Sequence, residues 1–170
     1  RFKYFISQEI KVPVKNIKTL VLGGHGDTMV PMPSHTTVDG KSIEQLVKEN
    51  KITKEKLDAI IERTRNGGGE IGKLLQKGSA YYAPATSGIE MAESYIKNLK
   101  KTLPCAAYLN GEYGVKNLYA GVPAVISNKG VETVVEIDLN DEEKKNFEVS
   151  VKTVQELFKA AIKIDPTLGN

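Results

Sequence analysis

The sequence predicts one α+β domain over residues 1–170, without a convincing linker or internal repeat. Apolar residues recur at helical spacing through the first half of the chain. From Leu103 the period changes to two, and a helical pattern returns at the C-terminal end. Helices and an antiparallel meander that are segregated along a chain are typical of α+β architecture. A chain of 170 residues suits one well-packed domain, and a second would be cramped.

A first helix is predicted from the beginning of the chain, where Phe2, Phe5, Ile6 and Ile10 follow helical spacing. The helix opens at Arg1 with neither an initiator methionine nor a capping residue before it. We therefore expect the chain to come from a longer protein.

A short strand and a glycine-lined loop follow this helix. The β-branched run Ile17–Leu22 predicts the strand, and the loop Gly23–Asp27 follows it directly. Pro31 and Pro33 are expected to stop regular structure beyond the loop. A turn is then predicted at Asp39-Gly40.

Three helices are predicted in the middle of the chain. Ser42 is a good N-cap for a helix through about Glu49, and Thr53 caps the next one. The pattern of this second helix runs through Gly67–Gly69 and ends near Gly78, so we expect a long helix kinked at the glycines. A third helix should span about residues 84–98.

The C-terminal part predicts an antiparallel meander and a last helix. Turns are expected at Asn110-Gly111 and at Asn128–Gly130. Asn140 should cap the final helix. The predicted strands are Leu103–Leu109, Val115–Tyr119, Val122–Ser127 and Val131–Leu139, and the core stripe of the helix is Phe147, Val151, Val154, Phe158 and Ile162.

Composition excludes several classes of function. The 24 basic and 21 acidic residues are interspersed, so the chain lacks the clustered basic face of a nucleic-acid-binding protein. No apolar run approaches the length of a membrane span, and no signal peptide is visible. The single cysteine, Cys105, lies in an apolar run and is interpreted as a buried small hydrophobe, which suits a reducing, cytoplasmic location.

His25 is the strongest candidate for chemistry. It stands between Gly24 and Gly26 at the end of a predicted buried strand, where small neighbours let a substrate approach closely. Histidine also donates and accepts protons near neutral pH. The alternative is a turn histidine that bonds its own loop. His35 lacks such framing and is interpreted as a surface or loop histidine.

Other site types fit poorly. The two histidines, without a cysteine pair, match no zinc spacing, and no G-x-S-x-G motif is present. The run Gly67–Lys73 fits G-x-x-x-x-G-K, but Leu74 replaces the required Ser or Thr and a helix precedes the run. A small nucleotide hydrolase is therefore disfavoured. No G-x-G-x-x-G motif opens a βαβ unit, so any dinucleotide must bind mainly outside this chain.

The run Val21–Pro31 closely resembles the catalytic-histidine segment of the lactate and malate dehydrogenase family. Two glycines before the histidine and Met-Val-Pro after Thr28 are similar to the malate dehydrogenases of its lactate-dehydrogenase-like branch. The resemblance continues through Arg65–Ile71, Gly78–Ala85 and Leu103–Val115.

This resemblance implies roles for individual residues. His25 corresponds to the acid/base that protonates oxaloacetate during reduction by NADH, and that deprotonates malate in reverse. Arg1 corresponds to the arginine that clamps the substrate carboxylate; the aspartate that precedes this arginine in the family falls before the chain begins. Ala80 would line the substrate pocket and Pro84 would touch the nicotinamide. Asp27 is expected to hold the loop through backbone hydrogen bonds.

The resemblance further implies that the chain is the catalytic C-terminal domain of a homodimer or homotetramer. The N-terminal NAD-binding domain and the loop that selects the substrate would lie outside it, so the isolated chain should be inactive. Two alternatives stay open. One is the corresponding half of a lactate dehydrogenase, and the other is a non-catalytic oligomerising module.

Overall fold

A computed structural model describes residues 1–169 of the chain. Its helices lie at both ends and in the middle of the chain, as the periodicity predicts. Their bounds are Phe2–Ile10 (α1), Ile43–Lys48 (α2), Lys54–Leu75 (α3), Tyr82–Ile96 (α4) and Asp141–Ile164 (α5). The strands are Ile17–Lys18 (β1), Val21–Leu22 (β2), Val30–Pro31 (β3), Thr37–Val38 (β4), Lys41–Ser42 (β5), Lys101–Asn110 (β6), Lys116–Ser127 (β7) and Gly130–Val134 (β8).

The strands form antiparallel sheets in the described part of the chain. The largest sheet has the order β6-β7-β8, which confirms the predicted meander. Two small sheets have the orders β1-β4-β5 and β2-β3. With the helices around them, these sheets confirm the α+β class.

Two apolar clusters form the core. The first lies between the large sheet, β2, β3 and α5, and it includes Leu22, Val30, Met32, Leu109, Val122, Phe147 and Val151. The second lies between α1, α2, α3 and the small sheet, and it includes Phe2, Ile6, Ile17, Val38, Ile43, Leu57 and Ile60. Segment 21–32 lies where these clusters adjoin, so packing on both sides constrains it.

The predicted helix caps are confirmed. The side chains of Ser42 and Thr53 accept hydrogen bonds from backbone N–H groups of α2 and α3. Asn140 accepts from the N–H of Glu143, whose carboxylate accepts from the N–H of Asn140, so α5 begins with a capping box. The Asp39-Gly40 turn is also present, with positive φ at both residues.

The prediction of one strand over Ile17–Leu22 is wrong. Its first two residues pair with β4 and its last two pair with β3, so the chain changes partner midway. β3 ends at Pro31, as expected, although this proline is itself the last residue of the strand. An edge position in a two-stranded sheet tolerates its missing N–H.

The observed meander differs from the predicted one in its strand limits and in one turn. The break predicted after Tyr119 is absent and β7 is continuous. The predicted two-residue turn at Asn110-Gly111 is a longer loop, with a 3-10 turn over Glu112–Gly114. β8 ends at Val134 rather than Leu139. Beyond Val134, backbone groups form hydrogen bonds with the hydroxyl of Tyr113 instead of with a strand. That hydroxyl donates to the Val135 carbonyl at 2.7 Å and accepts from the Ile137 N–H at 3.1 Å.

Helix α3 runs through Gly67–Gly69 without interruption and ends at Leu75. The run Gly67–Lys73 is therefore helical, which leaves no phosphate-binding loop there. The stripe of α5 is only partly in the core. Phe147 and Val151 are buried, but Phe158 is exposed.

Candidate active site

The His25 loop begins as an additional strand of the large sheet. Gly23 follows β2 and forms a bridge with Gly121 of β7, in which each N–H donates to the other's carbonyl at 2.8 Å. The bridge uses the edge of β7 that β6 leaves free. A Cβ at Gly121 would lie 2.5 Å from the Gly23 carbonyl oxygen. Two glycines therefore allow the backbones to meet, and they fix where the loop starts.

Helix α5 holds the next residue of the loop. The N–H of Gly24 donates to the Oγ of Ser150 at 2.8 Å, and Ser150 is fully buried. A Cβ at Gly24 would lie 2.9 Å from a methyl of Val154, and one at Gly23 would lie 2.3 Å from the Ser150 Oγ. The two glycines before His25 are thus required by close packing on α5.

The exit of the loop is attached to α3 and α5. The Arg65 Nε of α3 donates to the Met29 carbonyl at 3.2 Å. Ser34 donates its N–H to Glu143 of α5 at 3.1 Å, and its hydroxyl donates to the same carboxylate at 2.7 Å. Anchors on β7, α3 and α5 therefore hold the segment at both ends.

His25 itself is exposed at the tip of this anchored segment. Asp27 is also exposed, and the expected role of Asp27 in holding the loop is not what the structure shows. Within the described residues, the loop is held by Gly121, Ser150 and Arg65 instead. His35 is partly buried, and its Nε2 lies 2.7 Å from the Asp138 carbonyl oxygen, so it is a loop histidine with a structural bond.

Arg1 lies against the same helix that anchors the His25 loop. Cβ atoms at Gly67 and Gly68 would lie 3.2 and 3.3 Å from the Arg1 Nη1, so these glycines leave room for the guanidinium. Arg65 and Gly67–Gly68 are within one turn of α3, because the helix rises only about 1.5 Å per residue. The structure thus brings Arg1 and the His25 loop to neighbouring parts of α3.

The cavity beside Arg1 is also lined by His35 and by Ser87 and Glu90 of α4, and His25 is not among its lining residues. Ala80 is half-buried and Pro84 is exposed in the first turn of α4. Much of α4 is exposed and apolar, with Tyr82 at 89% and Ile89 at 68% exposure. Large apolar side chains of α4 are therefore exposed to solvent in this chain.

The described residues form neither a reactive thiol nor a metal site. Burial raises the pKa of the half-buried Cys105 thiol, so the unreactive protonated form dominates, in agreement with the interpretation of a small core hydrophobe. Among residues 1–169, no group of three or more His, Cys, Asp or Glu side chains is placed to hold a metal ion. None of the described helices is long and apolar enough to cross a membrane.

Sequence reasoning missed Ser150, Arg65 and Gly121. Ser150 carried a usable signal, because it lies three residues after Phe147 and four before Val154, on the core face of α5. A hydroxyl on such a face needs a partner. Gly121 and Arg65 carried no comparable signal, because neither is a buried polar side chain that needs a partner.

The chain is similar to known dehydrogenases over nearly its whole length. Residues 1–164 match the family model described as lactate/malate dehydrogenase, alpha/beta C-terminal domain. A malate dehydrogenase of Pelagibacter ubique (strain HTCC1062) is 59% identical over 169 residues, which cover 99% of this chain and 53% of that protein. The chain thus spans about half the length of this relative.

Solved structures show the same relationship. Malate dehydrogenase from Cryptosporidium parvum aligns with a TM-score of 0.92 at 43% identity, over 94% of this chain and 51% of that one. Lactate dehydrogenase from Eimeria maxima, solved with NADH and oxamate, aligns with a TM-score of 0.93 at 42% identity, over 98% of this chain and 52% of that one.

Proposed function

Since the chain belongs to the lactate/malate dehydrogenase family, we propose that it is the substrate-binding, catalytic half of an NAD-dependent malate dehydrogenase. The observation that carries this proposal is His25, an exposed imidazole on a loop that β7, α3 and α5 anchor. Such rigid support for an accessible proton donor is what acid/base catalysis requires.

The chain's own residues fit only part of a dinucleotide site. Gly67–Gly69 lie inside helix α3, so they offer no strand-loop-helix cradle for a pyrophosphate. Pro84 is exposed at the start of α4 and is proposed to contact the nicotinamide end, and Ala80 to line the substrate pocket. Most of the cofactor would therefore be held by an N-terminal domain outside this chain.

The proposed reaction divides between cofactor and protein. NADH, when bound, supplies the hydride that reaches the carbonyl carbon of oxaloacetate. His25, in its protonated form, gives a proton to the carbonyl oxygen, and the product is malate. In the reverse direction, neutral His25 removes the proton from the hydroxyl of malate. The planar guanidinium of Arg1 is proposed to grip a substrate carboxylate through two parallel hydrogen bonds.

Sequence identity favours malate over lactate as the substrate, whereas structural superposition does not distinguish them. The malate and lactate dehydrogenases superpose almost equally well, with TM-scores of 0.92 and 0.93. Their identities to this chain, 43% and 42%, are also nearly equal, so the preference for malate rests on the 59% identity to the malate dehydrogenase of Pelagibacter ubique. Lactate oxidation stays the second candidate.

Assembly into a homodimer or homotetramer is also part of the proposal. The exposed apolar residues of α4, such as Tyr82 and Ile89, supply surface for such contacts. A non-catalytic module that only oligomerises would use the same face, but it would not require the anchored loop around His25.

The test uses full-length protein that contains both halves. NADH oxidation is measured with oxaloacetate and with pyruvate, for the wild type and for His25→Asn. We expect preference for oxaloacetate, and a loss of kcat by about 10²–10⁴-fold in the variant, because general acid catalysis contributes a factor of this size. His35→Asn is the matched control. His35 lines the cavity beside Arg1, but its imidazole is bonded to the Asp138 carbonyl and lies outside the His25 loop, so this variant should retain turnover.

Each outcome decides one part of the proposal. Preference for pyruvate would make the chain half of a lactate dehydrogenase. Equal turnover of wild type and His25→Asn would refute the catalytic role of His25. Absence of turnover with both substrates would favour the oligomerising module. The isolated 170-residue chain is expected to be inactive in the same assay.

A further inference from the structure

We propose that Ser150 of α5 is a positioning residue for His25, which makes the C-terminal helix part of the catalytic apparatus. This inference rests on the proposed function. Ser150 does not reach the substrate in the proposal. It acts through the peptide group of Gly24, which directly precedes His25 in the chain.

The contact is short and partly buried. The Gly24 N–H donates to the Ser150 Oγ at 2.8 Å, and Ser150 has no exposed surface. The Gly24 nitrogen is three backbone bonds from the nitrogen of His25. A displacement of this N–H therefore moves the start of the residue that carries the imidazole.

The packing around the contact prevents the loop from settling closer to α5. A Cβ at Gly24 would lie 2.9 Å from Val154, and one at Gly23 would lie 2.3 Å from the Ser150 Oγ. If the Oγ is removed, the partly buried Gly24 N–H loses its acceptor. A donor shielded from water and without an acceptor is costly, so the loop should shift outward until water can reach the N–H.

Helix α5 is itself anchored to the same segment two turns earlier. Glu143, seven residues before Ser150 and so on the same face, accepts three hydrogen bonds from Ser34 and Asn140. This carboxylate is also buried. The helix thus holds both ends of segment 24–34, and Ser150 sets the end that carries the imidazole.

The expected effect is on catalysis more than on binding. A misplacement of about 1 Å in a reacting group can cost about a hundredfold in rate. We expect Ser150→Ala to lower kcat by about 10- to 100-fold in full-length protein, with KM for oxaloacetate changed much less. Ser150→Cys keeps a weak sulfur acceptor and should lose less. It also serves as the test variant if Ser150→Ala does not fold.

Ser94→Ala is the matched control. Ser94 is also a fully buried serine on a helix, and its Oγ also accepts a backbone N–H, from Lys101 at 3.2 Å. It lies on α4, where it donates to the Ile126 carbonyl. Its removal should lower the melting temperature about as much as Ser150→Ala does, while kcat stays near the wild-type value.

A double-mutant cycle with His25→Asn separates positioning from general damage. If Ser150 acts through His25, Ser150→Ala should cause no further loss of kcat once the imidazole is gone. The reactions of the two His25→Asn proteins are followed at raised enzyme concentration, so that residual NADH oxidation is measurable.

Three results would overturn the inference. Ser150→Ala could retain wild-type kcat, its loss could be equally large in the His25→Asn background, or Ser94→Ala could lose as much turnover. The proposed function fails in a different way, because it predicts that His25→Asn alone collapses. If that single variant keeps wild-type turnover, the function and the positioning role both fall.

Discussion

Replacing Gly121 by alanine tests the bridge from which the His25 loop starts. The new Cβ would lie 2.5 Å from the Gly23 carbonyl oxygen and 3.4 Å from the Gly23 nitrogen. Carbon and oxygen atoms normally approach to about 3.3 Å, so the two strands must separate by about 0.8 Å. Both bonds of the bridge, now 2.8 Å, would lengthen to about 3.6 Å and cease to be hydrogen bonds.

The cost follows from these distances. Each lost backbone hydrogen bond removes about 1 kcal/mol, and overpacking adds about 1–3 kcal/mol. A destabilisation of about 3–5 kcal/mol is therefore expected. In a chain of this size, each kcal/mol lowers the melting temperature by about 2–4 °C, so Gly121→Ala should lower it by about 6–20 °C.

The assay is thermal unfolding of the 170-residue chain, followed by circular dichroism. Gly69→Ala is the control, because a Cβ on that residue of α3 would meet nothing within 4 Å. Glycine is poor in a helix interior, so this variant should gain about 0.5–1 kcal/mol. If Gly121→Ala unfolds at the wild-type temperature, the close approach of Gly23 and Gly121 is refuted.

Two further predictions concern stability. Burial raises the pKa of Tyr113 above its ordinary value of 10.0, so the neutral phenol is favoured in the folded chain. The stability that the neutral Tyr113 phenol contributes is fully present below about pH 10 and is lost as pH rises through the raised pKa. The free energy of unfolding in urea should therefore fall at alkaline pH, and Tyr113→Phe should make this fall smaller. Asn140→Ala removes the cap of α5 and should cost about 1 kcal/mol in urea unfolding, whereas an unchanged midpoint would contradict the capping box.

Helices and their starts were predictable because their causes are local. Ser42, Thr53 and Asn140 each cap a helix through a residue three positions later, so the signal and its effect lie within one turn. The resemblance around His25 likewise rested on contiguous residues. The family assignment it implied is confirmed by the match over residues 1–164.

Strand limits were less predictable because strand partners are distant. Ile17–Leu22 reads as one strand, but it divides between β4 and β3, whose residues follow later in the chain. Gly121 resembles a break between two strands, yet it is the point where β7 accommodates Gly23. The sequence shows the position of a glycine. Only the folded structure shows whether that glycine forms a turn or allows the close approach of another strand.

The sequence by itself determined the α+β class, the helix starts and the identity of the candidate proton donor, His25. These depend on periodicity, on caps and on contiguous motifs, all of which act over a few residues. The tertiary structure alone decided that Ser150, Arg65 and Gly121 anchor that donor's loop. Their contacts join residues 36 to 126 positions apart, and such pairings become visible only when the folded core brings the segments together.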